Sequence, residues 1–195
     1  NKGFHLIPYR ICNSEALEKM LLSADVNSFN RIWIAGGDGT IHQVINLLLQ
    51  LECKIPIGIF PVGTANDFAR YFSFPEKIEE VTEILLRDNY TYCDVGIANS
   101  RYFLNVASLG FLIDVSQRTD EKVKNSLGIL AYYLKGAEEL SKLKPVKVSI
   151  RSREFSCEEE VFFVLIMNGK SAGGFKKIAP VASLSDGLLD VFVFK

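Results

Sequence analysis

The sequence predicts an α/β domain with a parallel sheet, followed by a second, mainly antiparallel and β-rich domain of the sandwich type. Residues 31–49 and 55–70 each run from an apolar strand through a glycine loop into a helix, which is typical of parallel α/β sheets. After residue 90 the apolar runs are β-rich and separated by turn residues. We therefore divide the chain into residues 1–89 and 90–195.

The first domain is predicted to open with a strand, Phe4–Ile11, and a helix, Ser14–Leu22. Arg31–Ala35 follows as a short apolar strand. The residues after it repeat at helical spacing on one face, namely Ile41, Val44, Ile45, Leu48 and Leu49. Ile55–Phe60 is the second buried strand, and Asn66 is expected to be the N-cap of the next helix. A further amphipathic helix carries Ile78, Val81, Ile84 and Leu85.

The second domain is predicted to begin with a hairpin. Its two strands, Tyr90–Ala98 and Tyr102–Ala107, meet at the turn Asn99-Ser100. Three further β-rich runs follow, Val146–Ile150, Phe155–Met167 and Leu188–Phe194. Between them we expect one amphipathic helix, Leu127–Leu143.

The composition and net charge of the chain limit the classes of protein to which it could belong. With 48% hydrophobic and 23% charged residues, the 195-residue chain can bury an ordinary globular core. A formal net charge of -1 provides no general attraction for nucleic acid, so no nucleic-acid partner is expected. The 4 cysteines contain no C-x-x-C pair, which favours reduced thiols in the cytoplasm over a disulfide framework. The longest apolar runs are too short to cross a bilayer.

The first glycine loop, Gly36-Gly37-Asp38-Gly39-Thr40, lies between a strand and a helix. Glycines let the backbone turn so that its N–H groups face an anion, and the helix adds the positive end of its dipole. An aspartate here would repel a phosphate directly. We therefore expect either a Mg²⁺ ion between the two or a role for Asp38 with a proton or hydroxyl.

The second loop, Pro61–Arg70, follows the next strand. Because loops at the carboxyl ends of adjacent parallel strands converge on one crevice, we expect this loop to lie beside the first. Thr64 could then donate to a phosphate and Asp67 could hold metal-bound water. Arg70 is equally consistent with anchoring a charged group and with a surface ion pair.

A third cluster lies at Asn168-Gly169, Gly173-Gly174 and Asp186–Asp190. Ser185-Asp186-Gly187 has the residue types of an ordinary turn. A carboxylate beside backbone carbonyls is also a suitable site for a hard cation. The residues leave both interpretations open.

Together these segments resemble a known family. Gly36–Thr40 followed by Gly63–Arg70 is similar to the catalytic-domain signature of diacylglycerol kinases. The later residues, Asn168 to Asp190, resemble the bacterial branch of soluble lipid kinases, which is related to sphingosine and ceramide kinases. The resemblance implies a nucleotide-binding α/β domain, a β-rich lipid-binding domain and an active site in the cleft between them.

The resemblance also implies roles for individual residues. Seven would line the ATP phosphates, namely Gly36, Gly37, Asp38, Gly39, Thr40, Ile41 and His42. Gly63, Thr64 and Asn66 would complete the nucleotide site. Asp67 and Asp94 would match acids of the family's metal and water network, and with Asp38 they are the predicted catalytic residues. Asp186 with the carbonyls of Ser183 and Leu188 would match a structural Mg²⁺ site.

The activity implied is Mg²⁺-dependent transfer of the ATP γ-phosphate to a lipid hydroxyl, on diacylglycerol or a similar lipid. Such a protein is expected in the cytoplasm, in transient contact with the inner face of the membrane. Leu127–Leu143 could rest on an anionic membrane surface. An exposed strand edge in the second domain leaves homo-oligomerisation open.

The sequence departs from the family pattern at both ends. The usual Asn-Pro-x-x-Gly strand does not precede Phe4, and no Asp-Gly-Glu with its expected general base follows Phe194. Arg10 occupies the place of a nucleotide-contacting threonine. We expect the chain to be a fragment on this basis. Two alternatives remain open, an NAD kinase-like enzyme that shares Gly-Gly-Asp-Gly-Thr, and a non-catalytic nucleotide- or lipid-binding relative.

Overall fold

The computed structural model describes residues 3–75, 77–110, 145–171 and 178–195. Within these ranges, a parallel pair of strands with flanking helices is followed by antiparallel strands. The predicted fold class is therefore confirmed. The helix expected at Leu127–Leu143 and the pair Gly173-Gly174 lie outside the described residues.

The first part forms around two parallel strands. Its elements are α1 (Ser14–Ser23), β1 (Ile32–Gly36), α2 (Asp38–Gln50), β2 (Ile57–Pro61), α3 (Asp67–Tyr71) and α4 (Ile78–Leu85). The register of β1 with β2 runs from Ile32 opposite Ile57 to Gly36 opposite Pro61. Both carboxyl ends therefore stop at the same level. This register sets the position of the two glycine loops.

The core of the first part lies between α2 and its neighbours. The predicted apolar face of α2 is buried at Ile41, Val44, Ile45 and Leu48. It packs with apolar side chains from the other elements, among them Leu17, Leu21, Ile34, Ile59 and Phe68. Burial of this stripe holds α2, and with it the loop at its start, against the sheet.

The predicted strand Phe4–Ile11 is wrong. These residues form no regular element, and Leu6 and Ile7 are 66% and 65% exposed. Among the described strands, β1 and β2 pair only with each other, so nothing supplies a hydrogen-bonding ladder for this segment. Apolar alternation alone was therefore insufficient for a strand.

The second part consists of short antiparallel strands. They are β3 (Gly96–Ala98), β4 (Arg101–Phe103), β5 (Val106–Gly110), β6 (Val146–Arg151), β7 (Ser156–Val161), β8 (Phe163–Met167) and β9 (Asp190–Phe194). β3 and β4 form a hairpin at the expected turn, with Asn99 in the left-handed region at φ 56°. The strands are shorter than predicted, because residues 90–95 form no strand and the predicted strand Tyr102–Ala107 is divided between β4 and β5. β8 lies between β5 and β9, and β6 pairs with β7. The predicted strand Phe155–Met167 is divided into two at Phe162.

The two parts share side-chain contacts. Leu104 and Leu184 belong to the same buried core as α1 and α2. The Asn46 side chain of α2 accepts from the Tyr102 N–H and donates to the Tyr102 carbonyl, each at 2.9 Å. These contacts attach the β3–β4 hairpin to the helix that follows the first glycine loop. In the described ranges, no helix has the length and apolar character needed to span a bilayer.

Candidate active site

The two glycine loops touch through their backbones. A Cβ atom added to Gly63 would lie 2.3 Å from the Gly37 Cα, and one added to Gly37 would lie 3.1 Å from the Gly63 Cα. Val62 N–H also donates to the Gly36 carbonyl at 3.3 Å. The approach leaves no room for a side chain at Gly63. The expected convergence of the loops at neighbouring strand ends is present in the structure.

The first loop is shorter than the sequence indicated, because α2 begins at Asp38. Asp38, Gly39 and Thr40 therefore form the first helical turn, and Gly37 is the N-cap. No side chain in the described residues caps this end of the helix. The first N–H groups of a helix have no intrahelical acceptor, and they form a ready site for an anion.

Ile41 and His42, which the resemblance assigns to the ATP phosphates, follow the first glycine loop and lie within α2. The Ile41 side chain is 0% exposed in the core, and its N–H donates to the Gly37 carbonyl at 3.0 Å. His42 lies on the exposed face of α2. Partial burial, followed by the charge of Arg101, lowers the pKa of His42 below its ordinary value. His42 is thus favoured in the neutral form, which can accept as well as donate a hydrogen bond.

Asn66 organises the second loop from within. It adopts a left-handed conformation at φ 50°, and its Oδ1 accepts from Gly63 N–H at 2.9 Å. Its Nδ2 donates to the carbonyls of Pro61 at 3.1 Å and Gly63 at 2.7 Å. Asn66 is the N-cap of α3, as predicted, although its side chain makes no capping hydrogen bond. The Asn66 side-chain amide forms its hydrogen bonds within its own loop, and these bonds hold the turn that brings Gly63 next to Gly37.

The first turn of α3 instead donates a hydrogen bond to Asp38, which lies in the first turn of α2. Asp38 Oδ1 accepts from the Phe68 N–H at 3.0 Å. Phe68 is the second residue of α3, so its N–H has no acceptor within that helix. Asp38 therefore links the start of α2 to the start of α3. The neighbouring Asp67 is buried, at 7% exposed.

Asp94 holds the loop that contains the candidate metal ligands. Its N–H donates to the Leu184 carbonyl at 2.6 Å, and its Oδ2 accepts from the Gly187 N–H at 2.7 Å. Asp186 Oδ1 accepts from the Leu188 N–H at 3.0 Å, which closes a tight turn. The structure therefore brings Asp94 and the Ser183–Leu188 segment together. Burial, and after it the charge of Asp94, raises the pKa of the adjacent Cys93 to about 11.

The donor set of this segment suits a hard cation. The described residues contain no group of three or more His, Cys, Asp or Glu side chains that could hold a metal ion. The sequence prediction assigns a cation here to the Asp186 carboxylate together with the Ser183 and Leu188 carbonyls. Oxygen ligands of this kind are those that Mg²⁺ prefers.

Tyr71 connects α3 to the same segment. Its hydroxyl accepts from the Leu184 N–H at 3.3 Å and lies 3.4 Å from the Ser183 Oγ. The Lys170 ammonium lies 5.8 Å from the centre of the Tyr71 ring, at cation–π distance. The helix that begins at the second glycine loop thus ends against the candidate metal segment.

With this geometry established, comparison with known proteins identifies the family. The protein-family model described as the diacylglycerol kinase catalytic domain matches residues 1–98, just over half of the 195 residues. The chain belongs to the diacylglycerol kinase catalytic domain family. A second model, described as the YegS C-terminal NAD kinase beta sandwich-like domain, matches residues 105–195.

Individual relatives agree with this assignment. The chain is 39% identical over 173 residues to a diacylglycerol kinase of Bacillus subtilis (strain 168), covering 88% of this chain and 57% of the relative. It is 37% identical over 159 residues to a diacylglycerol kinase of Staphylococcus saprophyticus, covering 82% of this chain and 52% of the relative. The chain spans little more than half the length of these relatives.

A solved structure has the same arrangement. A crystal structure of a diacylglycerol kinase from Bacillus anthracis str. Sterne matches with a TM-score of 0.69 at 29% sequence identity. The match covers 93% of this chain and 58% of that one. The parallel and antiparallel parts described above are therefore features of the family fold.

Sequence reasoning missed one residue of this region, Tyr71. It lies one helical turn after Asp67, and that spacing was the available signal. Nothing in the sequence indicated that the Tyr71 hydroxyl would contact residues 183 and 184. Such a contact depends on how the second part of this kinase-family chain folds back over α3.

Proposed function

We propose that this protein transfers the γ-phosphate of ATP to the hydroxyl group of a lipid, as a diacylglycerol kinase-like phosphotransferase. The observation that carries the proposal is the direct contact of the Gly37 and Gly63 loops at the ends of two parallel strands. It places the N-terminus of α2, which no side chain of the described residues caps, and the second loop at one edge of the sheet. Membership of the diacylglycerol kinase family supplies the class of acceptor.

The phosphate groups of ATP are proposed to bind to backbone N–H groups. Gly36, Gly37, Gly39 and Thr40 are assigned to supply them from the first loop and Thr64 from the second. Gly63, whose N–H already donates to the Asn66 Oδ1, is assigned to the close contact between the loops. Phosphoryl transfer requires mainly positioning and neutralisation of charge, and a backbone cradle provides both without adding formal charge. Asn66 is assigned to shaping this cradle, because its amide is bonded within the loop.

Carboxylates are proposed to serve the acceptor and the cation. Asp38 is the candidate that accepts the proton of the lipid hydroxyl during attack. Asp67 and Asp94 are assigned to the metal and water network, and Ser183, Asp186 and Leu188 to holding Mg²⁺. A Mg²⁺ ion in the Asp67 and Asp94 network would neutralise charge on the phosphate oxygens, whereas the ion at Ser183, Asp186 and Leu188 would be structural. Asp94 contributes by fixing the Ser183–Leu188 segment through two hydrogen bonds.

The roles of the two domains and the binding partners are also proposals. We divide the chain into a nucleotide-binding domain, residues 1–89, and a lipid-binding domain, residues 90–195, with the active site between them. ATP and a lipid are the proposed partners, and contact with the cytoplasmic face of a membrane would deliver the lipid. The NAD kinase alternative is less well supported, because the model matching residues 1–98 is that of diacylglycerol kinases.

We expect the protein to label a lipid when it is incubated with γ-labelled ATP, Mg²⁺ and mixed micelles. The micelles carry diacylglycerol, sphingosine or ceramide in separate reactions, and extraction followed by chromatography measures the phosphorylated product. Reactions with EDTA in place of Mg²⁺ are the control. Labelling of none of the lipids by folded protein would contradict the proposal, and conversion of NAD to NADP would favour the alternative.

A further inference from the structure

Asn168 is a buried polar residue between two segments of the second part. It follows β8 and is 1% exposed. Its Nδ2 donates to the Asp94 carbonyl at 2.8 Å and to the Leu104 carbonyl at 2.7 Å. Its own N–H donates to the Asn105 carbonyl at 2.8 Å. Both its backbone and its side chain are therefore tied to neighbouring chain segments.

The nitrogen and the oxygen of the Asn168 side-chain amide differ in their hydrogen bonding. Both N–H bonds of the side chain are used, whereas Oδ1 has no hydrogen-bond partner among the described residues. A buried acceptor without a partner is unfavourable, and an apolar side chain would avoid that cost. The donor side is therefore the part of the amide that the structure uses, and its acceptors are main-chain carbonyls.

The hydrogen bonds of Asn168 continue into the candidate metal segment. Asp94, which Asn168 holds by its carbonyl, bonds in turn to Leu184 and Gly187. Leu184 bonds to the Tyr71 hydroxyl at the end of α3. Asn168 thus stands at the start of a continuous chain of hydrogen bonds that leads to residues 183–188.

We propose that Asn168 is a positioning residue that fixes Asp94, and through Asp94 the Ser183–Leu188 segment. Asn168 touches none of the reacting groups in this account. It acts by holding the main chain of Asp94 at a set distance from Leu104, so that the Asp94 carboxylate reaches the Gly187 N–H. The catalytic consequence rests on the proposed function, whereas the structural consequence can be measured without a substrate.

The test compares Asn168→Asp with Asn105→Asp in the whole protein. An aspartate at 168 keeps the shape but loses both N–H donors and turns an oxygen towards the two carbonyls. Asn105 is a matched control, since its Nδ2 donates to the Ser171 carbonyl nearby and has no bond to Asp94. Amide hydrogen exchange is followed by NMR at Asp94 and Gly187. If Asn168→Asp does not fold, Asn168→Ala is measured in its place.

We expect the Asp94 and Gly187 amides to exchange at least about tenfold faster in the Asn168 variant and at wild-type rates in Asn105→Asp. In the lipid assay, the apparent affinity for Mg²⁺ is expected to fall roughly 10- to 100-fold with little change in the KM for ATP. The combination separates local positioning from a general loss of stability, which would accelerate exchange throughout the chain.

Unchanged exchange at both amides, or equal acceleration at all amides, would overturn the proposal. Faster exchange with an unaltered Mg²⁺ requirement would overturn the catalytic consequence. A wild-type protein that phosphorylates no lipid would contradict the proposed function instead, because the exchange measurement needs neither ATP nor lipid.

Discussion

Asp38→Asn is expected to lower kcat for lipid phosphorylation by roughly 10²- to 10⁴-fold, the range that general acid–base groups contribute. Asparagine keeps an oxygen at the Oδ1 position, so it can still accept from the Phe68 N–H that Asp38 bonds at 3.0 Å. It cannot accept a proton from the lipid hydroxyl. The fold and the contact between α2 and α3 should therefore survive the substitution while turnover does not.

Asp38→Ala separates the two roles of the carboxylate. It removes the proton acceptor and also leaves the Phe68 N–H without its partner, so we expect the free energy of unfolding to fall by about 1 kcal/mol, as for loss of a helix cap. Denaturant unfolding measures this difference, and initial rates with saturating ATP measure kcat. Near-wild-type turnover of Asp38→Asn would assign the proton to another group.

Among alanine substitutions at the glycines of the two loops, Gly63→Ala is expected to disrupt the nucleotide site most. The added Cβ would lie 2.3 Å from the Gly37 Cα and 2.7 Å from the Asn66 Oδ1. The first is backbone, and the second is held by the Gly63 N–H. The loops must therefore separate, at a cost of about 1–3 kcal/mol in stability. We expect kcat/KM for ATP to fall about 100-fold, because a shift of this size misplaces the phosphates.

Two glycines of the first loop provide graded controls for that substitution. A Cβ at Gly37 would meet the Gly63 Cα at 3.1 Å, so Gly37→Ala should destabilise the protein less than Gly63→Ala. A Cβ at Gly39 would have nothing within 4 Å, and alanine is the better helix former, so Gly39→Ala should leave stability equal or higher. Thermal unfolding gives the order directly. Equal stability of Gly63→Ala and wild type would contradict the close contact.

The contact between the glycine loops could be predicted from the sequence for a physical reason. Parallel strands place their carboxyl ends at one edge of a sheet, so loops after Gly36 and Pro61 must be neighbours once β1 pairs with β2. The periodic face of α2 was readable for a similar reason, since four of its five predicted apolar residues are buried. Local periodicity and chain direction determine both features.

Other features depended on partners far along the chain. The Asp38 bond to Phe68 spans 30 residues, and the Asn168 bond to Asp94 spans 74. No local pattern specifies which way such side chains point. Asn66 illustrates the same limit, because its residue type is equally suited to capping a helix and to closing its own loop. Segment 4–11 has a strand-like composition but pairs with no described strand.

Amide chemical shifts show whether the two backbone loops form one site for the phosphates of ATP, as we propose. The protein is labelled with ¹⁵N, and the resonances of Gly37 and Gly63 are followed while ATP and Mg²⁺ are added. We expect both amides to shift together and to give one dissociation constant. If either amide is unaffected when ATP is bound, the two loops do not form a common phosphate site.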